Sequence, residues 1–295
     1  MDKILLALDG TERSFEVVKY VAGIPRAKEL ETVLFAVYDE IPDVYWDLGD
    51  QANIASRIAQ AKALSLTIKN SLEGQLEQAQ QYLLSHGFDS ARIKAFLHKR
   101  EKGISKDIIS EARTGYSAVL AGRRGVARIQ EILLGSVSSR LLQGLIDIPL
   151  CLVGKGTPEF KNVLVAVDGS ENSLKAVDFV AWLMQGSQGE VSLLHVIRAK
   201  EKLVVEEAEA RIKAFFEKAK ERLISKGIPS TSISTQVIYG VESRSMAIIQ
   251  VARKENFGTI VVGRRGLSAV KEFFMGRVSN RVVQLAKGLA VWVVS

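Results

Sequence analysis

The sequence has few of the residues on which disulfide frameworks and zinc sites depend. Its 295 residues include one cysteine, Cys151, and three histidines, His86, His98 and His195, which lie far apart in the sequence. One cysteine cannot form an intrachain disulfide, and scattered histidines lack the ligand spacing of a zinc site. Cys151 lies in the apolar run 149–153 and is expected to be a small buried residue. Disulfide-stabilised and zinc-dependent classes are therefore excluded.

Long apolar runs and a leader pattern are also missing. No apolar stretch reaches the ~20 residues that a membrane-spanning helix needs. Met1 and Asp2 lead directly into an apolar segment, which is unlike a secretory signal. We therefore expect a cytoplasmic protein without a membrane span.

Charge is unevenly distributed but gives no strong indication of a nucleic-acid site. The formal net charge is +7, and the excess lies after residue 157, where 20 Lys and Arg stand against 14 Asp and Glu. No dense basic run with interleaved aromatics accompanies this excess, so a solvated Lys-rich surface is favoured over a nucleic-acid groove. Anionic small molecules remain candidate ligands.

Apolar runs alternate with helical patterns, and the whole order occurs twice. Strands are predicted at 3–9, 33–37, 93–97, 119–121 and 150–153, and again at 163–168, 191–197, 233–239, 260–262 and 290–294. Helices are predicted at 11–24, 54–85, 104–113 and 132–145, and again at 173–184, 201–226, 243–254 and 273–285. This alternation predicts an α/β fold with parallel sheets covered on both faces. We expect two domains, 1–155 and 160–295, joined near Gly156 and Pro158.

Both halves carry the same spaced glycines, which we call the glycine motif. The first copy is Gly122-Arg123-Arg124-Gly125 followed, after nine residues, by Gly135 and Ser136. The second copy is Gly263-Arg264-Arg265-Gly266 followed, after nine residues, by Gly276. Each copy follows a short strand and precedes a helix, where glycines let backbone N–H groups approach a phosphate. The alternative is a tight turn with close helix packing.

An Asp-Gly pair ends the first predicted strand of each half, at Asp9-Gly10 and at Asp168-Gly169. Carboxyl ends of parallel strands converge on one crevice, so each aspartate is expected beside its glycine motif. A carboxylate there can accept hydrogen bonds from ribose hydroxyls or help to hold a metal ion. The alternative is a helix-entry turn, since Asp and Ser are also good helix caps.

Phosphate groups would be bound by the second part of each motif. Backbone N–H groups near Gly125 and at 136–138 can surround a phosphate, and the hydroxyls of Ser136 and Ser138 can donate to its oxygens. Arg123 or Arg124 can add positive charge.

These motifs resemble those of the universal stress proteins of the tandem type, and the resemblance covers essentially the whole chain. The first-half residues that carry it are Asp9, Gly10, Thr11, Gly122, Gly125, Gly135, Ser136, Val137 and Ser138. The second-half residues are Asp168, Gly169, Ser170, Gly263, Gly266, Gly276, Val278 and Ser279. The arginines within and after the motifs, Arg123, Arg124, Arg264, Arg265 and Arg277, complete the candidate cofactor-binding set.

The resemblance implies two Rossmann-like domains of the adenine nucleotide alpha hydrolase-like type, each with strand order 3-2-1-4-5. It implies bound ATP, or AMP or ADP, with Mg²⁺ near Asp9 and Asp168, and an adenine pocket lined by Val37 and Val196. It also implies that the fifth strands of the two domains pair. That pairing would cover two apolar edges that otherwise invite aggregation. A homodimer and an unidentified protein partner are further expectations.

Three departures from the family pattern are informative. Arg277 stands where the family has Ser or Thr, so it either fills the phosphate pocket or pairs with a phosphate. His98 stands where the second half has Gly240, and it either contacts a ligand or lies in an exposed loop. The acidic stretch 39–50, with Tyr45 and Trp46, is either a lid or a surface loop.

The leading hypothesis is an adenine-nucleotide-binding protein whose occupancy alters its interaction with a partner. The alternatives are an interaction module independent of nucleotide, and a slow ATP hydrolase. Hydrolysis is expected to be slow because no general base stands out, and the Gly-x4-Gly-Lys-Ser/Thr loop is absent. A nucleic-acid binder is the least favoured.

Overall fold

A computed structural model describes residues 2–39, 54–123, 134–266 and 275–295. The first half contains β1 Lys3–Leu8, α1 Glu12–Ala22, β2 Glu31–Tyr38, α2 Ile54–Ser85, β3 Ile93–Lys99, α3 Ile104–Ala112, β4 Ala118–Gly122, α4 Ser136–Gly144 and β5 Leu150–Val153. The second half contains β6 Val163–Ala166, α5 Glu171–Leu183, β7 Val191–Val196, α6 Lys202–Ser225, β8 Ile233–Ile238, α7 Arg244–Lys254, β9 Thr259–Gly263, α8 Arg277–Leu285 and β10 Ala290–Val294. The predicted α/β class and alternation are confirmed.

The described strands form one sheet in the order β3-β2-β1-β4-β5-β10-β9-β6-β7-β8. Each half therefore has the expected 3-2-1-4-5 order. Within each half the strands are parallel. The central residues of all but the outermost strands are buried because helices cover both faces, whereas β3 and β8 at the two edges of the sheet are largely exposed or partly buried. Among the strands in the described ranges, the one antiparallel pair is β5 with β10, in the register Leu152 with Val291 and Cys151 with Trp292.

Large side chains fill the region around the β5–β10 pair. The Tyr20 hydroxyl lies 2.8 Å from Thr259 Oγ1 and accepts a hydrogen bond of 3.0 Å from Trp292 Nε1. Burial raises the pKa of Tyr20 well above its usual value, and it also raises the pKa of the Cys151 thiol. Cys151 is fully buried, as the sequence predicts. Residues from both halves thus share one packed region at the middle of the sheet.

The last helix of the second half begins later than its apolar pattern predicts. The pattern favours a helix from residue 273, whereas α8 begins at Arg277 after the extended residue Gly276. The prediction of a first-half helix from residue 132 is wrong in the same way, because α4 begins at Ser136 after Gly135, which has the same extended conformation. In both halves the third glycine of the motif ends the loop and sets the first turn of the helix. We call α4 and α8 the motif helices.

Candidate functional site

The Asp-Gly turns after β1 and β6 have the same conformation. Gly10 and Gly169 have φ values of +79° and +85°, which a side chain would strain. Asp9 Oδ1 accepts hydrogen bonds from the backbone N of Thr11 at 3.1 Å and from its hydroxyl at 2.6 Å. Asp168 Oδ1 accepts one from the N of Ser170 at 3.0 Å. Each turn therefore fixes a carboxylate at the carboxyl edge of the sheet.

Thr11 and Ser170 are the helix caps at these turns, and not the aspartates that the alternative interpretation names. Thr11 Oγ1 accepts from the N of Ser14 at 3.3 Å, and Ser170 Oγ accepts from the N of Ser173 at 3.2 Å. Because these hydroxyls cap α1 and α5, they hold the aspartate beside the start of a helix.

The aspartate turn and the glycine motif meet in the second half. A Cβ atom at Gly266 would lie 2.1 Å from Asp168 Oδ2, so only glycine fits there without movement. The backbone N of Gly276 donates to Arg264 O at 2.8 Å, which brings the start of α8 to the same place. The expected convergence of Asp168, Gly266 and Gly276 is thus present.

The first glycine of each motif allows a strand to approach a helix closely. A Cβ atom at Gly122 would lie 3.3 Å from the Arg13 carbonyl oxygen. At Gly263 it would lie 3.0 Å from the backbone carbon and oxygen of Asn172. These two glycines therefore have a packing role at the ends of β4 and β9, whatever they contribute to a ligand.

The motif helices are tied to the same strand ends by serine. Ser138 Oγ donates to Gly122 O at 3.2 Å, and Ser279 Oγ donates to Gly263 O at 2.7 Å. Both serines are buried, whereas Ser136 and Arg277, the first residues of the two helices, are exposed. Any phosphate contact at these helices falls to their N-terminal N–H groups and to Ser136 or Arg277.

Val137 and Val278 are partly buried and pack against the hydrophobic core. Arg124 and Gly125 of the first motif lie outside the described residues. The same holds for Tyr45, Trp46 and the acidic stretch beyond Asp39.

The first arginine of each motif reaches across to the other half. Arg123 Nη1 donates to Ala286 O at 2.6 Å, at the C-terminal end of α8. Arg264 Nη1 and Nη2 donate to Leu142 O and Leu145 O, each at 2.6 Å, at the C-terminal end of α4. Carbonyl groups at a helix end lack partners within the helix, and a guanidinium group satisfies them well. We call this reciprocal pair the arginine clamp.

The arginine clamp gives both arginines contacts other than the expected phosphate. Arg123 is 9% exposed and Arg264 is 2% exposed, so neither guanidinium is available at the carboxyl edge. Burial lowers the pKa of Arg123 to about 10. Burial also lowers the pKa of Arg264, as does the neighbouring charge of Arg265, while Asp147 raises it. The two arginines bind helix ends and not a ligand because the two halves are paired. The sequence of the glycine motif alone gives no sign of that pairing.

Val37 and Val196 are buried at the ends of β2 and β7, next to the Asp-Gly turns. In the second half, Arg244 Nε donates to Val196 O at 3.1 Å. Arg244 is the first residue of α7, and the sequence analysis overlooks it. Comparing the halves would have found it, because the corresponding first residue of α3 is Ile104.

His195, one residue before Val196, is held by the strand rather than exposed. Its Nδ1 lies 2.8 Å from Val167 O. Burial lowers the pKa of His195; the bond to Val167 and the charge of Asp168 raise it, and Arg244 and Arg211 lower it. Asp168, Arg244 and Arg211 therefore all lie within electrostatic range of one ring. His98 stacks on Phe35, with 5.5 Å between ring centroids. The expected correspondence of His98 with Gly240 is wrong, because His98 pairs with Val37 as Ile238 pairs with Val196.

The carboxylates fit one type of metal site. Mg²⁺ is commonly held by one or two carboxylates together with phosphate oxygens. Among the described residues, no three His, Cys, Asp or Glu side chains lie together as a metal-binding group. Asp9 and Asp168 thus suit an ion that shares its ligands with a bound phosphate.

Within the described ranges, no helix combines the length and the apolar character needed to cross a bilayer.

Comparison with known proteins agrees with this architecture. The curated universal stress protein YxiE of Bacillus subtilis is 32% identical over 146 residues, which are 43% of this chain and 94% of that protein. A crystal structure of a universal stress protein from Archaeoglobus fulgidus matches 99% of this chain and 98% of its own, with TM-score 0.67 and 22% identity. A putative universal stress protein from Pseudomonas aeruginosa matches 100% of this chain and 93% of its own, with TM-score 0.61 and 11% identity.

The family model for universal stress proteins matches residues 1–146 and again residues 159–295. Each match contains one Asp-Gly turn, one glycine motif and one motif helix. Because the two matches span nearly the entire chain, the protein belongs to the universal stress protein family, with two copies of the family's unit in tandem.

Proposed function

We propose that this chain is a cytoplasmic protein that binds an adenine nucleotide, ATP, ADP or AMP, with Mg²⁺ at the carboxyl edge of its first half. The observation that carries the proposal is the convergence of an Asp-Gly turn, a glycine motif and a helix N-terminus in the second half, together with the same Asp-Gly turn, close glycine and motif helix in the first half. Backbone N–H groups at a helix start favour phosphate because they combine free donors with the positive end of the helix dipole.

Each candidate residue then has a definite role. Asp9 would accept from the ribose or share Mg²⁺ with the phosphates, and Val37 would line the adenine pocket. The N–H groups near Gly125 and at 136–138, with the Ser136 hydroxyl, would hold the phosphates. Gly10, Gly122 and Gly135 shape the backbone, and Thr11 and Ser138 brace it. The carboxyl edge of the second half would be lined by the equivalent candidate residues, which are Asp168, Gly266, Gly276 and Arg277.

We further propose that occupancy acts as a signal rather than as a step of turnover. A ligand that binds one state of the loop better than another shifts the population toward that state. The surface around the loop would then differ between free and bound protein, and a protein partner could distinguish the two. The domains 1–155 and 160–295, paired through β5 and β10, would respond as one unit.

A second candidate is an interaction module that does not need nucleotide. One observation favours it: Arg123, Arg264, Ser138 and Ser279 all make contacts within the chain, so much of the motif has a structural role. In that case the motif would be retained for the fold.

Calorimetric titration of nucleotide-stripped protein with ATP and Mg²⁺ tests the proposal. We expect saturable binding of at least one equivalent, and its loss in Gly125→Val because a side chain blocks the approach of the phosphate. Gly74→Val is the matched control, since a Cβ atom there has no neighbour within 4 Å. Unchanged affinity in a folded Gly125→Val variant would refute the role of the loop. No binding to wild type would favour the interaction module.

A further inference from the structure

Guanidinium groups collect at the carboxyl edge of the second half. Arg244 donates to Val196 O, and Arg277 begins α8 beside the glycine motif. Arg265 lies within the motif, and its Nε is buried without a hydrogen-bond partner. Arg211 precedes Ile212, whose Cδ1 would lie 3.8 Å from a Cβ atom at Gly169. Four arginines thus stand around one Asp-Gly turn.

Most of this charge is not neutralised by other residues that the structure describes. Among the described residues, the side chains of Arg211, Arg265 and Arg277 make no hydrogen bond or ion pair. Three acidic residues lie on the same elements. They are Asp168, which Asp9 matches in the first half, the exposed Glu242, and Glu207, which lies one helical turn before Arg211. The edge therefore keeps an excess of positive charge.

The first half differs at the corresponding positions. The second half has an arginine at three positions where the first half has none. Arg211 corresponds to Ser71, Arg244 to Ile104 and Arg277 to Ser136. The first half does carry the cations Arg13, Lys99 and Arg100 near its edge, but each already has an interaction within the chain. Arg100, for example, forms a 2.5 Å ion pair with Asp39.

The second half also differs where an adenine base is expected. A base is recognised through donors and acceptors of the backbone at its edge, and Val196 is the implied position. Here the Val196 carbonyl already accepts from Arg244, whereas Ile104, at the same position of the first half, has no donor. An exposed aliphatic group at Ile104 also suits the face of a base better than a guanidinium does.

From these differences we propose that the second half binds a chain of consecutive phosphate groups and does not require adenine. Arginine forks match phosphate oxygens and form strong charge-assisted hydrogen bonds. The shared chemistry is a linear polyphosphate, whether inorganic or the triphosphate of a nucleotide. The proposal rests on the proposed function in one respect, namely that this edge of the fold is an anion site.

The experiment uses the full chain with AMP at saturation, so that the first half is filled. Sodium tripolyphosphate is then titrated by calorimetry without added Mg²⁺, and ATP is titrated in a parallel series. We expect about one equivalent of tripolyphosphate, and ATP binding no tighter than tripolyphosphate. Arg244→Ile and Arg277→Ser, which install the first-half residues, should each weaken tripolyphosphate about tenfold, as for one charge-assisted bond.

Arg281→Ser is the matched control. Arg281 is exposed one turn along α8 from Arg277, and the first half has Arg140 at the same position. The Arg281→Ser substitution removes the same charge from the same helix as Arg277→Ser. A general electrostatic effect would therefore weaken tripolyphosphate binding equally in these two variants. All the changed positions are exposed, and circular dichroism would verify the fold.

The outcomes separate the two proposals. AMP binding with no tripolyphosphate binding, or tripolyphosphate binding that falls equally in Arg277→Ser and Arg281→Ser, would overturn the inference and leave the proposed function intact. Tripolyphosphate binding that needs Arg244 and Arg277, without any binding of AMP or ATP to the first half, would support the inference and refute the proposed function. A second equivalent of AMP that Arg244→Ile does not affect would also overturn the inference.

Discussion

The two arms of the arginine clamp occupy the same position in their halves, yet they are satisfied unequally. Arg264 donates to two helix-end carbonyls and, through Nε, to Ser295 Oγ at 2.6 Å. Arg123 donates to one carbonyl, and its Nε and Nη2 are buried without partners. The residue that corresponds to Ser295 is Gly154, which has no side chain to accept from Nε. A single residue after the fifth strand, 31 positions beyond the arginine, therefore changes the environment of a buried cation.

This inequality shows how a duplicated fold diverges. The backbone features common to both halves are the Asp-Gly turn, the close glycine and the serine that ties the motif helix to the strand. The differences lie in side chains that approach from the other half or from neighbouring helices. Predictions about the two halves therefore test whether equivalent substitutions in the same backbone change the free energy of unfolding by the same amount.

The largest effect is expected from Arg264→Ala. It removes three hydrogen bonds and leaves the carbonyls of Leu142 and Leu145 without their donor, which should cost about 3–5 kcal/mol, as for a broken buried polar network. Arg123→Ala should cost about 1–2 kcal/mol, because one bond is lost and two unpartnered donors disappear. Urea unfolding of both variants measures the difference. Equal losses would show that the hydrogen-bond count does not govern the clamp.

The next effect compares the close glycines. Gly263→Ala should cost about 2 kcal/mol and Gly122→Ala about 1 kcal/mol, because both overpack a rigid backbone but the approach is closer at 263. The contacts in question are to Asn172 and to Arg13, whose backbone atoms cannot turn away as a side chain would. Urea midpoints again give the measurement. A larger loss at Gly122 would contradict the distances.

Much of the fold follows from sequence pattern, because strand order repeats twice and each element is locally consistent. The long helix 54–85 was predictable from the sequence, and its bounds agree with α2. The start of α8 was not, since Phe273, Phe274 and Met275 continue the apolar pattern while Gly276 interrupts the helix. Local geometry at one glycine outweighs periodicity there.

The candidate site was predictable only in its backbone. Asp9, Gly10 and Gly122 could be located because turns and close approaches require those residue types. The roles of Arg123 and Arg264 could not, because a Gly-Arg-Arg-Gly segment suits a phosphate and a helix end equally well. Their contacts depend on the pairing of β5 with β10, which brings the motif of one half to the helix end of the other.

A smaller effect is expected at Gly154, where two substitutions isolate one hydrogen bond. A Cβ atom at Gly154 would lie 3.1 Å from the backbone N of Gly288, so both Gly154→Ala and Gly154→Ser crowd the site. Only serine supplies an acceptor for Arg123 Nε, as Ser295 does for Arg264. Gly154→Ser should therefore be about 1 kcal/mol more stable than Gly154→Ala. Equal stability of the two in urea would show that the hydroxyl does not reach Arg123.

The smallest effect concerns pH and distinguishes His195 from Ala36, its counterpart in β2. Burial, with help from Arg244 and Arg211, lowers the pKa of His195 in the folded protein below its ordinary 6.5. The unfolded chain then binds the proton more readily than the folded protein, so protonation of His195 favours unfolding. The stability that the neutral ring contributes above about pH 6.5 is therefore lost as the pH falls through that value and below it. Carboxylates titrate in the same direction, and for that reason the measurement is a difference between two proteins. His195→Ala should lose less stability than wild type between about pH 7.5 and about pH 5.5 in urea unfolding. If the two proteins lose equal stability over that interval, the hydrogen bond to Val167 and the charge of Asp168 offset the burial of the ring, and the two halves do not differ in their response to pH at this position.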